Sequence, residues 1–141
     1  MIFAPLSFEG LAWMRERSPT IQCEDMQGIE VRRDGVIQAV AIADTFSRDG
    51  CNVHWVIENP MAIRHGLIRA VCDYCFNERG RARIFGPVPA WNTKSLKLCE
   101  HVGMTEVARI PHGCAEGVDY VIMAMTRAEC RWLPEVQEEA A

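Results

Sequence analysis

The residue types best suited to proton transfer stand close together in one stretch of the sequence. His54 and Glu58 flank Val56 at alternate positions, so a strand over Cys51–Glu58 places these three side chains on one face. The unperturbed pKa of a histidine lies near neutrality, and a glutamate whose pKa is raised by burial can act through a water molecule. Both residues are therefore candidate general bases, although His and Glu are also common at exposed strand positions.

The seven cysteines offer a second kind of chemistry, metal binding. Cys72 and Cys75 form a C-x-x-C pair, and His112 and Cys114 are further possible ligands. The pair falls inside a helical apolar pattern, however, and the sequence contains no second C-x-x-C pair. We therefore predict thiols that pack as small hydrophobic side chains, and no metal site.

The composition is that of an ordinary globular domain. The chain has 141 residues, of which 49% are hydrophobic and 24% charged, with a formal net charge of −4. This acidic balance disfavours nucleic acid as a partner without excluding a local basic patch. No apolar run approaches the roughly 20 residues that span a bilayer, and Met1–Leu6 lacks the basic start of a signal peptide. We expect a cytoplasmic protein with reduced thiols and no membrane partner.

Alternating apolar residues place the candidate bases within a series of strands. Asp34-Gly35 is a typical two-residue hairpin turn between the first two. In the Cys51–Glu58 segment the face opposite His54 is apolar, which predicts that it packs against a helix. The predicted strands are Ile29–Arg33, Val36–Ala43, Cys51–Glu58, Arg83–Phe85, Thr105–Ile110 and Val118–Met125.

Helices are predicted between and before these strands. Ser7 is expected to cap a short helix near the start of the chain. A helical apolar face runs from Ile63 to Cys75, and Gly80 is a plausible end. Asn92 is predicted to N-cap a last helix that reaches about Val102.

The segment Arg83–Met104, R-I-F-G-P-V-P-A-W-N-T-K-S-L-K-L-C-E-H-V-G-M, carries a family resemblance. A strand ends in a short loop, followed by Asn92, the small residue Ser95, an apolar helix and Gly103-Met104. This order resembles the second half of the GCN5-related N-acetyltransferase (GNAT) domain. The ending D-Y-V-I-M-A-M-T-R-A-E-C-R-W-L resembles that of phage and prophage members, and the likeness covers about residues 29 to 133.

The resemblance implies a fold and a cofactor slot. The fold is α/β, with a mixed, mostly antiparallel sheet of about six strands flanked by helices. A single domain over residues 1–133 would be followed by an acidic, frayed tail over residues 134–141. In the family the parallel strands before the last two helices splay apart, and the pantetheine arm of acetyl-CoA or another acyl-CoA enters between them. A bulge in the first of these strands would leave backbone N–H groups free.

Residues of the slot follow from the same resemblance. Val56 and Ile57 would meet the pantetheine arm through their backbone, with Asn92 and Ser95 opposite. The family's pyrophosphate loop is replaced here by N-P-M-A-I-R-H-G-L-I-R, which leaves Arg64, His65 and Gly66 to bind the phosphates. The alternative is that Arg64 and His65 are solvated residues in the first turn of the helix.

The resemblance also identifies the place of the acid that protonates the leaving thiolate. In the family this acid is often a tyrosine on the last helix. Here Cys99 falls at that place, where it can equally be a buried core residue, and Tyr120 is another candidate.

The activity implied is transfer of an acetyl or similar group from an acyl-CoA to an unidentified amine. Two alternatives stay open at this point. One is a catalytically idle binding or structural protein of phage origin with the same fold, and the other is a phage enzyme that modifies nucleic-acid bases. A homodimer that completes an open acceptor pocket is a further expectation.

Overall fold

The chain begins with a strand that was not predicted and a short helix that was. The computed structural model describes residues 1–18 and 23–133, and the predicted tail lies outside these ranges. Strand β1 spans Ile2–Pro5 and helix α1 spans Phe8–Arg17. The hydroxyl of Ser7 accepts a hydrogen bond from the Gly10 N–H at 3.0 Å, which confirms the predicted cap of α1.

Three antiparallel strands follow: β2 (Gln27–Arg33), β3 (Val36–Asp44) and β4 (Gly50–Ile57). The β2–β3 turn is the predicted Asp34-Gly35 pair, with φ angles of 52° and 78°. Both residues must adopt the left-handed region in this turn, which Asp and Gly tolerate better than other types.

The long helical segment is built from short pieces. Helix α2 spans Met61–Arg64 and helix α3 spans Leu67–Cys72, continuing as a π-helical segment over Asp73–Glu78. Gly66 separates α2 from α3 with a φ of 101°, and Gly80 follows the π-helical segment with a φ of 64°. These values explain why glycine stands at both breaks.

The second half of the chain contains β5 (Arg83–Pro89), α4 (Thr93–Val102), β6 (Thr105–Ala115) and β7 (Val118–Thr126), then a 3-10 turn over Arg127–Glu129. Strand β5 was predicted to end at Phe85 but continues through Gly86-Pro87. Strand β6 likewise continues through the segment predicted as a loop after Ile110.

Within the described ranges, seven strands form one mixed sheet in the order β1-β2-β3-β4-β5-β7-β6, and β4–β5 is the one parallel pair among them. The fold class is as predicted, with one strand more than expected because β1 pairs with β2. Helix α1 packs on one face through Leu11 and Met14. Helices α3 and α4 share the core of the other face, as Leu67 and Val102 illustrate. Over the described ranges, no helix is long and apolar enough to cross a membrane.

Candidate functional site

Strands β4 and β5 begin side by side and then part. They pair at Gly50–Arg83, Cys51–Ile84 and Asn52–Phe85, and at no later position among the described residues. Beyond this point β4 stays paired with β3 as far as Ile57, and β5 stays paired with β7 as far as Pro89. A wedge-shaped cleft therefore opens between the C-terminal halves of two parallel strands.

The sequence of β5 explains the divergence. Pro87 and Pro89 lack the N–H that a ladder hydrogen bond needs, so β5 has fewer donors for continued pairing with β4. The expected bulge in β4 is absent, because its register with β3 is uninterrupted from Asp44–Asn52 to Ala39–Ile57. Backbone groups on the cleft side of β4 are thus left unpaired by the separation of the strands.

The cleft contains two adjoining cavities. The inner cavity, of about 80 Å³, is bordered by His54, Gly86 and Cys99. The outer cavity, of about 240 Å³, is bordered by Trp91 and Lys94. Residues common to both are Ser18, Trp55, Pro89, Asn92 and Ser95. Val56 and Ile57 border the outer cavity, so six of the ten predicted site residues come together here.

His54 is held by a buried carboxylate from the neighbouring strand. Its Nε2 lies 3.2 Å from Oδ1 of Asp44, whose side chain is 5% exposed. The Thr45 hydroxyl also donates to this oxygen, at 3.1 Å. Asp44 was not singled out by sequence reasoning, because ten residues separate it from His54. Antiparallel pairing of the predicted strands Val36–Ala43 and Cys51–Glu58 would have brought the two residues together, but no register was predicted for it.

The two faces of β4 divide as predicted. Val53, Trp55 and Ile57 pack in the core beneath α3, whereas Val56 packs in the core beneath α1. Glu58 follows β4 and pairs with Arg17 of α1, with 2.5 Å between Oε1 and Nε. The Glu58 side chain is 53% exposed and does not border either cavity of the cleft.

The two candidate acids have different surroundings. Burial, together with the nearby Glu100, raises the pKa of the Cys99 thiol to about 11, so this group stays protonated at neutral pH. Burial and a hydrogen bond with Cys114 raise the pKa of Tyr120. Tyr120 lies on β7 opposite Pro89 and borders neither cavity.

Asn92 caps helix α4 as predicted. Its Oδ1 accepts a hydrogen bond from the Ser95 N–H at 3.2 Å, and Gly103 ends the helix with a φ of 109°. Because Asn92 and Ser95 both border the cleft, the cap holds the first turn of α4 against its wall.

The predicted phosphate-binding residues lie elsewhere. Arg64, His65 and Gly66 border a separate, wider depression at the α2–α3 junction, together with Arg69 and Trp132. Its volume is about 640 Å³. Arg64, His65 and Gly66 do not border either cavity of the cleft.

The cysteines of the C-x-x-C pair face other thiols. Interaction with Cys130, together with burial, raises the pKa of the Cys72 thiol, and interaction with Cys51, together with burial, raises the pKa of the Cys75 thiol. Both residues of the pair are fully buried. Cys114 is exposed in the β6–β7 hairpin. Among residues 1–18 and 23–133, no three His, Cys, Asp or Glu side chains are grouped to hold a metal ion.

Comparison with known proteins identifies the fold through structure alone. No protein-family model matches the sequence, and no curated protein is significantly similar to it. Spermidine/spermine N-acetyltransferase from Vibrio cholerae superposes with a TM-score of 0.71 over 89% of this chain and 91% of that chain, at 12% identity.

Two further structures agree. The ribosomal-protein-S18-alanine N-acetyltransferase from Escherichia coli gives a TM-score of 0.68 at 19% identity, covering 89% of this chain and 92% of that chain. An acetyltransferase of the GNAT family from Bacillus anthracis gives 0.56 at 21% identity, covering 74% and 68%. The sheet order, the parallel β4–β5 pair and these superpositions show that the chain has the acyltransferase fold of the GCN5-related N-acetyltransferases.

Proposed function

We propose that this protein is an acyl-CoA-dependent N-acyltransferase that moves an acetyl or similar group to an amine. The observation that carries the proposal is the divergence of β4 and β5 beyond Asn52 and Phe85. A single domain over residues 1–133, acting in the cytoplasm, is part of the proposal.

The cleft suits an elongated thioester arm. Pantetheine carries two amides, which need hydrogen-bond partners when they leave water. The unpaired backbone near Val56 and Ile57 offers partners on one wall, and the Asn92 and Ser95 side chains offer them on the other. Trp55 and Leu98 offer apolar contacts to the carbon atoms between the two amides of pantetheine.

Phosphate binding is assigned to Arg64, His65 and Gly66 at the α2–α3 junction. The support is that Arg64 and Arg69 border one open depression, where the two guanidinium groups outnumber the carboxylate of Asp73. A guanidinium can pair bidentately with a phosphate. The outer end of the cleft carries Lys94, a second possible contact for a phosphate.

His54 is the base in the proposed reaction. An amine attacks the thioester carbonyl carbon, a C–N bond forms and the C–S bond breaks with its electron pair on sulfur. His54, at the inner end of the cleft, accepts the proton that the amine loses. Glu58, the other candidate base, is engaged with Arg17, so we favour His54.

Protonation of the leaving thiolate is assigned to Cys99. Cys99 borders the inner cavity, and its thiol, with a pKa of about 11, carries a proton at neutral pH. The thiol is a weak hydrogen-bond donor, and solvent can return the proton that it gives up. Tyr120 has less support because it does not border the cleft.

The acceptor is proposed only as a class, an amine. The structural neighbours are named for acceptors as different as spermidine or spermine and the alanine of a ribosomal protein. A shared fold accommodates both, so the fold does not select between them. The net charge of −4 disfavours amines on nucleic-acid bases.

Thermal denaturation with acetyl-CoA tests the proposal. A ligand at about 100 times its dissociation constant stabilises the folded state by about 2.7 kcal/mol. Release of free coenzyme A is then followed over a panel of polyamines, peptides and nucleosides. Stabilisation and release with one amine class support the proposal. If acetyl-CoA does not stabilise the protein and no coenzyme A is released with any amine, the proposal is wrong and the protein is a catalytically idle member of this fold.

A further inference from the structure

Asp44, on β3, contacts the proposed base His54, and the family resemblance did not predict this contact. Asp44 is the last residue of β3 and is 3% exposed, which is rare for a charged side chain without a partner. Its Oδ1 lies 3.2 Å from Nε2 of His54. Strand pairing fixes this geometry, because Ile42 lies opposite His54 and Asp44 lies opposite Asn52.

We propose that Asp44 is a positioning residue that fixes the His54 ring through Nε2–H, so that Nδ1 is the nitrogen that accepts the proton from the acceptor amine. This inference rests on the proposed function. It adds the residue that orients the base and names the atom that acts.

The hydrogen-bond chemistry of the pair selects one tautomer. A carboxylate can only accept hydrogen bonds, so Nε2 must carry a proton to satisfy it. A neutral ring with hydrogen on Nε2 has its lone pair on Nδ1. Among the residues that the structure describes, Nδ1 has no hydrogen-bond partner, and His54 is one of the residues that border the inner cavity.

Asp44 has one other short polar contact among the described residues, the Thr45 hydroxyl at 3.1 Å. Both donors reach Oδ1, so the carboxylate is oriented by the strand end and in turn orients the imidazole. A buried carboxylate also stabilises the imidazolium that forms when Nδ1 takes the proton, as in serine hydrolases.

A nearby carboxylate provides a matched control. Asp25 accepts hydrogen bonds from the backbone N–H groups of Thr45 and Phe46 at 3.1 and 2.7 Å. It therefore supports the same chain segment as Asp44 without touching His54. Loss of Asp25 reports on the folding of this segment alone.

The first test is the tautomer of His54 in long-range ¹H–¹⁵N spectra, at a pH where the ring is neutral. We expect hydrogen on Nε2 in the unmodified protein and in Asp25→Asn. In Asp44→Asn we expect hydrogen to shift toward Nδ1, because the new amide can donate to Nε2. Hydrogen on Nδ1 in the unmodified protein would overturn the proposal, whether or not the protein transfers acetyl groups.

The second test is kinetic. Asp44→Asn is expected to lower kcat by about 10-fold or more while KM for acetyl-CoA changes less than about 2-fold, because the wrong tautomer blocks the base but not the cleft. In a His54→Gln background the same change should have no further effect. Asp25→Asn should keep kcat. If the losses of kcat from Asp44→Asn and His54→Gln are independent of each other, Asp44 does not act through His54 and its role is structural.

Discussion

Arg17 donates a hydrogen bond from Nε to Oε1 of Glu58 at 2.5 Å, which joins the end of α1 to the end of β4. The guanidinium also lies over the Trp13 ring, 4.0 Å from its centroid. Because Arg17 borders the outer cavity, this contact forms part of the rim of the cleft. Glu58, which the sequence analysis named as a candidate base, therefore forms a structural ion pair with Arg17.

Glu58→Gln and His54→Gln separate the two candidate bases. An exposed ion pair contributes about 0–1 kcal/mol, so Glu58→Gln should change stability little and keep kcat within about 3-fold. His54→Gln should lower kcat by about 100-fold or more without changing acetyl-CoA affinity. Steady-state kinetics and isothermal titration measure both effects. The reverse ranking of kcat would make Glu58 the base.

Gly86→Val is expected to obstruct the cleft without unfolding the protein. A Cβ at Gly86 would lie 3.5 Å from Met104 Cε and 3.9 Å from Val53 O, which are ordinary contact distances. Gly86 borders the inner cavity of about 80 Å³, and we expect the added side chain to narrow it. Acetyl-CoA affinity should fall by about 10-fold or more while the melting temperature shifts only a few degrees. Ala82→Val, at an exposed position just before β5, is the control. Unchanged affinity in Gly86→Val would remove the cleft as the thioester site.

Arg64→Ala tests phosphate binding outside the cleft. Loss of a bidentate phosphate partner should weaken acetyl-CoA binding by about 10-fold, measured by titration calorimetry. Arg48→Ala removes an exposed arginine from the β3–β4 connection and should leave the affinity unchanged. Equal affinities for the two variants would show that Arg64 does not meet the ligand.

Asn92 variants distinguish capping from ligand binding. Asn92→Ala removes the acceptor for the Ser95 N–H and should cost about 1 kcal/mol of unfolding free energy. Asn92→Asp keeps the cap but loses the amide donor, so it should retain stability and weaken acetyl-CoA binding. Urea denaturation and ligand titration, run on both variants, give the two quantities. If Asn92→Asp binds acetyl-CoA normally, the side chain serves the helix alone.

Glu30 makes stability depend on pH below its ordinary pKa of 4.5. Burial raises the pKa of this carboxyl, but hydrogen bonds from Ser7 and Arg32 outweigh burial and lower it. Its oxygens lie 2.6 Å from Ser7 N and 2.6 Å from Arg32 Nε. The folded state therefore holds the proton less tightly than the unfolded state, and the stabilisation is present above pH 4.5 and lost as the pH falls.

Glu30→Gln should remove most of that acid dependence. At pH 7 it should lower the free energy of unfolding by about 1–3 kcal/mol, because hydrogen bonds to a charged acceptor are lost. Between pH 6 and pH 3 the unmodified protein should lose stability more steeply than the variant. Parallel slopes in denaturant titrations across this range would assign the acid sensitivity to other carboxyls.

Local signals predicted the parts of the fold that local chemistry determines. The Asp34-Gly35 turn and the N-cap of α4 at Asn92 involve contacts within a few residues, and each is as predicted. Strand β1 was missed because its four residues become a strand only through pairing with β2. The same holds for β5 beyond Phe85, where Gly86 and Pro87 indicate a turn but β7 supplies a partner strand.

The candidate site was predictable where it depends on strand alternation, and unpredictable where it depends on neighbours. His54 and Val56 share the predicted face of β4, and Asn92 and Ser95 share the first turn of α4. The partners of these residues come from distant positions. Arg17 holds Glu58 across 41 residues, and no periodicity in either segment reveals that pair.

The parting of β4 from β5 leaves half of β4 tied to the sheet by β3 alone. Backbone N–H groups that face no partner strand exchange their hydrogens with solvent more readily than hydrogen-bonded ones. Because the Glu58 N–H is bonded to Gln38 O on β3, strand alternation directs the N–H groups of Val53, Trp55 and Ile57 toward the cleft. These three amides should accordingly take up deuterium faster than the first part of β4. A ligand bound along the cleft side of β4 would take the place of a partner strand and slow the deuterium uptake there. Binding in the cleft could then be followed at individual backbone amides.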